Sequence, residues 1–252
     1  MIKNYFKIAF RNLRKNKGFS AINIVGLAIG LATCLMMLFY VADELSYDKF
    51  NTKADRIYRV DGDIKFGGNH FVLAQSPDPM GPTLKNDFPQ VEQYVRFRNY
   101  GGFLVKKGSQ NINEDKVIYA DSSLFDVFTL PMIEGDPKTA LVEPKSIVIT
   151  ETTAKKYFNS TDVVGKDLLI NDTDNFKITG VIKDIPLQSH FNFDFFVSLS
   201  TSPESRQNNW VSNNFNTYIL LKKGADPKKL QSQFSAMVLK YLVPQVQQIM
   251  NI

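Results

Sequence analysis

Residues 20–41 read SAINIVGLAIGLATCLMMLFYV, twenty-two positions without a charged side chain. As a helix this run rises roughly 33 Å at 1.5 Å per residue, enough to cross a hydrocarbon core about 30 Å thick. The nineteen residues before it carry six basic groups, Lys3, Lys7, Arg11, Arg14, Lys15 and Lys17, and no acidic one. Asp43, Glu44 and Asp48 follow it. The positive-inside rule then places the N-terminus in the cytoplasm and everything after Val41 outside. A secretory signal peptide has a shorter apolar core and small residues at its exit. Here Tyr40 stands in the exit, Met-Leu-Phe-Tyr-Val-Ala, so the run reads as an uncleaved anchor.

The formal charge of +5 is a property of the leader. Outside residues 1–42 there are 24 basic against 25 acidic groups, with no basic stripe, which argues against nucleic acid as a partner. The single cysteine, Cys34, lies inside the apolar run, so an internal disulfide is impossible. The roughly 210 residues beyond the run must be held by their own core. The chain's 20 Phe and 10 Tyr lie mostly there and supply one.

Working outward from the apolar run, residues 2–17 place Ile2, Tyr5, Phe6, Ala9, Phe10 and Leu13 at helical spacing. Lys3, Lys7, Arg11 and Arg14 fall on the other arc. The spacing predicts an amphipathic helix lying in the inner interface, with Lys7, Arg11, Arg14, Lys15 and Lys17 as its contacts with the inner membrane surface. Within the apolar run, Gly26 and Gly30 are four apart, as are Ala28 and Ala32. Together they read as a small-residue face against which another helix packs. Helical character continues through Ala54, which suggests a helical stalk.

The predicted organisation is therefore a cytoplasmic interfacial helix (1–18), a transmembrane helix (19–42), a helical stalk (43–55) and an extracytoplasmic domain (56–252). Inside that domain, strands are expected at 56–66, 91–98, 103–107, 116–120, 146–150, 168–170, 176–184, 193–199 and 216–222. Helices are expected from just after Pro82 to Phe88 (83–88), at 122–128, 151–158 and 227–243, and a turn at Gly67-Gly68-Asn69. Thr150 is a natural N-cap for 151–158, and Glu151 can pair with Lys155 one turn on. Strands interleaved with short helices define an α+β fold class, with one or two subdomains.

Site chemistry is missing from the pattern. There is no phosphate-binding G-x-x-x-x-G-K-[ST] loop, no G-x-S-x-G elbow and no H-E-x-x-H pair. His70 and His190 are far apart and read as exposed or structurally bonded side chains, not as metal ligands. No catalytic residue, metal or cofactor is expected. The alternating aromatics Phe191, Phe193, Phe195 and Phe196 read as core. Trp210, in the polar loop 208–214, either plugs a local groove or touches a partner or lipid, and its neighbours in sequence do not decide which.

Several long segments carry a family resemblance. FKIAFRNLRKNKGFSAINIVGLAIGLA (6–32), SYDKF (46–50), ADRIYRV (54–60), IVITETTAKKYF (147–158), VGK (164–166), ITGVIKDIP (178–186) and SHFNFD (189–194) occur in order along nearly the whole chain. Together they resemble the start of permease subunits of MacB/FtsX-like ABC transporters of the Bacteroidetes type. The resemblance implies a first membrane helix leading into a MacB-type periplasmic core domain, with three more membrane helices beyond it. It also implies a permease that dimerises or pairs with a second half, docks on an ABC ATPase, sits in the inner membrane, engages other envelope proteins and has no catalytic residues. Since the chain stops at Ile252, it reads as the N-terminal part of such a permease. The function implied is coupling of ATP hydrolysis to movement of the outer domain, in export or mechanotransmission. The alternative is a single-pass sensor or scaffold whose outer domain binds a ligand or protein.

Overall fold

The computed structural model describes residues 2–66 and 68–250. The chain divides into two compact units, Met1–Tyr47 and Asp48–Ile252. The first holds α1 (Ile2–Lys15) and α2 (Lys17–Glu44). Asn16, between them, leaves helical geometry at φ −112°, ψ 56°. α2 has 28 residues and buries none of them. Its mean hydropathy reaches 2.4, and its length of about 42 Å exceeds a hydrocarbon core.

The expected stalk at 43–55 requires correction. α2 ends at Glu44, turns occupy the next residues, and a short 3-10 turn spans Ala54–Arg56. The physical reason is at Asp48. Its φ of +59° is left-handed and incompatible with a continuing helix. Its amide donates to the Gln188 carbonyl at 2.9 Å, so the outer unit takes a hydrogen bond that a helix would have kept.

The outer unit runs β1 (Ile57–Val60), β2 (Gly62–Phe66), β3 (Asn69–Leu73), β4 (Ser76–Pro77), α3 (Met80–Asp87), β5 (Val91–Arg98), β6 (Phe103–Lys107), β7 (Gln110–Glu114), β8 (Val117–Ala120), α4 (Leu124–Val127), β9 (Met132–Gly135), β10 (Ser146–Thr150), α5 (Glu151–Phe158), β11 (Asp167–Ile170), β12 (Asp174–Ile182), β13 (Phe195–Ser198), β14 (Asn213–Leu221), α6 (Pro227–Gln231) and α7 (Phe234–Met250). Twelve strands make one sheet, ordered β1-β14-β5-β8-β13-β10-β12-β11-β6-β7, with β4 on β14 and β9 on β12. β8/β13 and β10/β12 are parallel, and the other pairs are antiparallel. β2 and β3 form a separate hairpin. Of its expected turn, Gly67 lies outside the described residues, and Gly68 takes φ +79°.

Alternation along the central strands sorts side chains into cores on opposite faces. Val148, Phe196, Tyr218 and Leu220 enter one cluster, roofed by α4 and the loops 121–131 and 185–193. Ile147, Ile149, Phe195 and Val197 enter a second, which includes Ala154 of α5. Ile219 and Leu221 enter a third with Leu84 of α3, Leu230 of α6 and Met237 of α7. Central strands are buried on both faces, which is why SIVIT (146–150) is apolar without alternation. Each fully buried Phe contributes about 1.5–3 kcal/mol by leaving water.

The strand expected at 56–66 breaks at Asp61, because β1 joins the main sheet and β2 joins the hairpin. The helix expected at 227–243 is two helices, separated at Ser232-Gln233. β10 passes directly into α5, where the Thr150 hydroxyl accepts from the Thr153 amide and Lys155 pairs with Glu151. Trp210 plugs a groove: it is 3% exposed and stacks on Tyr241 at 5.1 Å and 8°.

Candidate functional site

The sequence-predicted site lies in the first unit. On α1, helical spacing of about 100° per residue gathers Lys3, Lys7, Arg11, Arg14 and Lys15 into an arc of about 120°. Ile2, Tyr5, Ala9 and Leu13 occupy the opposite side, all exposed. The Arg14 guanidinium stands 6.0 Å from the Phe10 ring centre, so its stem and the ring share one patch while the charge reaches outward. Arg14 and Lys15 fall in the last turn, where cations favour the helix dipole. Lys17 is not part of this arc: it opens α2, beyond the break at Asn16.

On α2, Gly26 and Gly30 share a row. A Cβ at either would meet nothing within 4 Å. From Gly30 the row widens into a shallow groove of about 530 Å³ lined by Gly30, Thr33, Cys34, Met37, Leu38 and Val41. The Thr33 hydroxyl donates to the Ile29 carbonyl at 2.9 Å, leaving the groove wall apolar in hydrogen-bonding terms. Ala28 and Ala32 do not join this face. Two residues along a helix is a turn of about 200°, so they lie on nearly the opposite side. The single four-residue face expected from the sequence is therefore two separate pairs.

A third arrangement was not legible from spacing. Asp48, the first residue of the outer unit, accepts from the His190 amide at 3.1 Å and pairs with His190 Nδ1 at 2.8 Å. His190 Nε2 lies 3.0 Å from the Tyr218 hydroxyl on β14. With Nδ1–H donating to the carboxylate, Nε2 is the acceptor for the Tyr218 hydroxyl. Burial, first of all, pushes Tyr218 above its ordinary pKa, and Arg59 works against that rise. The signal that could have found this pairing is that both residues sit in family-resembling segments, SYDKF and SHFNFD.

Elsewhere the polar groups are structural. The Arg96 guanidinium makes a two-pronged bond to Asp121, 2.9 Å on each arm, and donates to the carbonyls of Asp78 and Ser205. Burial opposes its charge, and Asp121 more than offsets this, raising the Arg96 pKa. The buried Asp78 carboxylate accepts from the amides of Asn208 and Asn209, each at 2.8 Å. Burial pushes the Tyr119 hydroxyl up to about 12. His70 pairs with Asp63 at 2.6 Å on the exposed hairpin. Among the described residues no group of three or more His, Cys, Asp or Glu could hold a metal ion. A polar pocket of about 330 Å³ between Thr52, Arg56 and Lys223 is open. Its arginine is committed to Glu92 and the Leu221 carbonyl, each at 2.7 Å.

Comparison with known proteins gives these features a frame. The MacB-like periplasmic core domain family matches residues 20–237. None of the curated proteins compared matches the chain. Among solved structures, a domain assigned to a permease protein from Porphyromonas gingivalis superposes with TM-score 0.66 at 23% identity, over 76% of this chain and 83% of that one. The periplasmic region of MacB from Actinobacillus actinomycetemcomitans gives TM-score 0.54 at 14% identity, over 74% and 83%. At these identities the likeness shows a shared fold. The match across 20–237 shows the family, and α2 at its head is long and apolar enough to cross a membrane. The chain belongs to the MacB-like periplasmic core domain family, a membrane-anchored extracytoplasmic domain of ABC-type transporter permeases, a class that works with an ATPase.

Proposed function

We propose that this chain couples ATP hydrolysis by a partner ATPase to movement of its extracytoplasmic unit. In this reading it is not an enzyme: the chemistry is done by the ATPase, and the chain carries motion. The observation that supports this most directly is the contrast between its two units. A 28-residue apolar helix with no buried residue is joined, within four residues of its end, to a unit locked by three cores and the buried Arg96–Asp121 ion pair. The helix is built to slide and tilt in lipid, and the outer unit is built to move as a body.

The N-terminus lies in the cytoplasm, where the α1 cations Lys7, Arg11, Arg14 and Lys15 rest on anionic headgroups. The Gly26–Gly30 row and the groove below it receive a second membrane helix, from the same permease or from a second copy of it. Close packing there is available because glycine carries no side chain to hold a neighbouring backbone away.

The test uses the permease carrying this chain, with Cys34→Ser, in proteoliposomes with its ATPase. Lys183→Cys, at an exposed position, carries a spin label on each copy. ATP with vanadate should shift the label-to-label distance relative to the nucleotide-free state. Hydrolysis with no shift would sink the coupling reading. Orientation is checked by Leu187→Cys, which is 79% exposed at the native side chain and should react with an impermeant thiol reagent from the extracytoplasmic side alone.

A further inference from the structure

We infer that Asp48, His190 and Tyr218 form a positioning clamp that fixes the chain's entry into the outer unit to β14, an interior strand next to the edge of its sheet. This deepens, and rests on, the coupling reading above, because it names the residues through which a displacement at the entry would reach the sheet first.

Asp48 opens the outer unit. It holds a left-handed backbone that costs a non-glycine residue about 1 kcal/mol or more, so something must hold it there. Three hydrogen bonds do: its amide to the Gln188 carbonyl, and its carboxylate from the His190 amide and from Nδ1. His190 passes the link on through Nε2 to the Tyr218 hydroxyl. Tyr218 lies on β14 opposite Arg59 of β1 and Val95 of β5, so it is interior to the sheet and flanked on both sides. The charged groups facing its hydroxyl are Arg59, Asp48 and Asp61.

A second fastening follows three residues later and differs in kind. The Asn51 side chain accepts from the Thr129 amide at 2.9 Å, the Thr52 amide donates to the Thr129 hydroxyl at 3.0 Å, and Lys53 donates to the Asp126 carbonyl. These bonds reach only the α4 roof over the core. Of these two fastenings, the Asp48 path is the one that ends on a strand; Arg56 reaches the Leu221 carbonyl of β14 later, where the chain is about to join the sheet as β1. The separation of 142 residues between Asp48 and His190 also makes it a strictly tertiary contact, absent from any partly folded segment.

The experiment is hydrogen exchange followed by mass spectrometry on the full chain in lipid nanodiscs, comparing the segment 48–53 with β14 at 213–221. Asp48→Ala and His190→Ala should each accelerate exchange in 48–53 about tenfold, the loss of a charge-assisted hydrogen bond, and leave 213–221 as in the parent. His190→Asn, which keeps a donor near the Nδ1 position, should recover most of the protection. Tyr218→Phe keeps the ring and should give a smaller rise confined to 48–53. Unchanged exchange in 48–53 for the two alanine variants would mean that Asn51 and Thr52 hold the entry alone. Faster exchange in both segments would mean ordinary destabilisation, and no rise for Tyr218→Phe would remove the link to the sheet; each of these overturns the clamp. In the proteoliposome assay, Asp48→Ala should keep ATP hydrolysis and lose the Lys183 distance shift. If the parent itself shows no shift, coupling fails, and the exchange result still judges the clamp independently.

Discussion

α2 and β10 are both apolar runs, but they are satisfied in opposite ways. β10, Ser146–Thr150, is buried at every position by its neighbours β12 and β13 and by cores on both faces. α2 buries nothing along 28 residues. A strand can be apolar on both faces because the sheet continues on either side. A helix apolar all round has no such option within its own chain, and needs lipid or other helices as its surroundings. The comparison teaches that one unit's stability is set by packing within the chain, while the other's is set by its solvent.

The largest way to break that contrast is a cavity. Phe196→Ala removes a fully buried ring from the sheet and should cost the outer unit about 3–5 kcal/mol in urea unfolding. The matching change on the helix, Phe39→Ala at a side chain 70% exposed, should leave that unfolding curve in place. Equal losses would show that α2 packs on protein and would end the comparison. A charge sharpens it from the other side. Leu31→Lys at the middle of α2 should disfavour membrane insertion by about 2.5–3.5 kcal/mol, read as the inserted fraction in a translocation assay. The melt of the outer unit should not move.

The smallest effect concerns acid. Burial pushes Glu204 upward, but hydrogen bonds from Tyr100, Arg98 and Asn214 outweigh it, so its folded pKa lies below the ordinary glutamate value. A depressed carboxylate pKa contributes stability above the unfolded value, and that contribution is lost as pH falls through the folded value. Glu204→Gln should therefore flatten the acid limb of the stability curve below about pH 4.5 and leave its slope near neutrality unchanged. An unchanged acid limb would mean that the ion pair with Arg98 contributes nothing measurable.

Much of this was legible in the sequence, and the failures have physical causes. α2 could be read from composition because lipid demands an unbroken apolar run. The β10–α5 junction could be read because SIVIT is buried twice over and Thr150 is a capping residue. β7 escaped because QNINE is polar: it is a largely exposed edge strand held by backbone bonds to β6. β9 escaped because Gly135 sits against the Gly180 backbone at φ +95°, where composition says turn and contact says strand. The Ala28/Ala32 pair was misplaced by counting spacing without angle. The Asp48–His190 pairing could not be read from spacing, because nothing local specifies a partner 142 residues away; shared membership of the resembling segments was its one trace.

The stacking of Trp210 on Tyr241 has a practical consequence. The indole is the single one in 252 residues, and it is shut between a loop and α7. Its amide also donates to Gln245 on the same helix. Ultraviolet excitation therefore addresses one place in the protein, and the emission colour is a native optical gauge of whether α7 lies docked or has lifted into water.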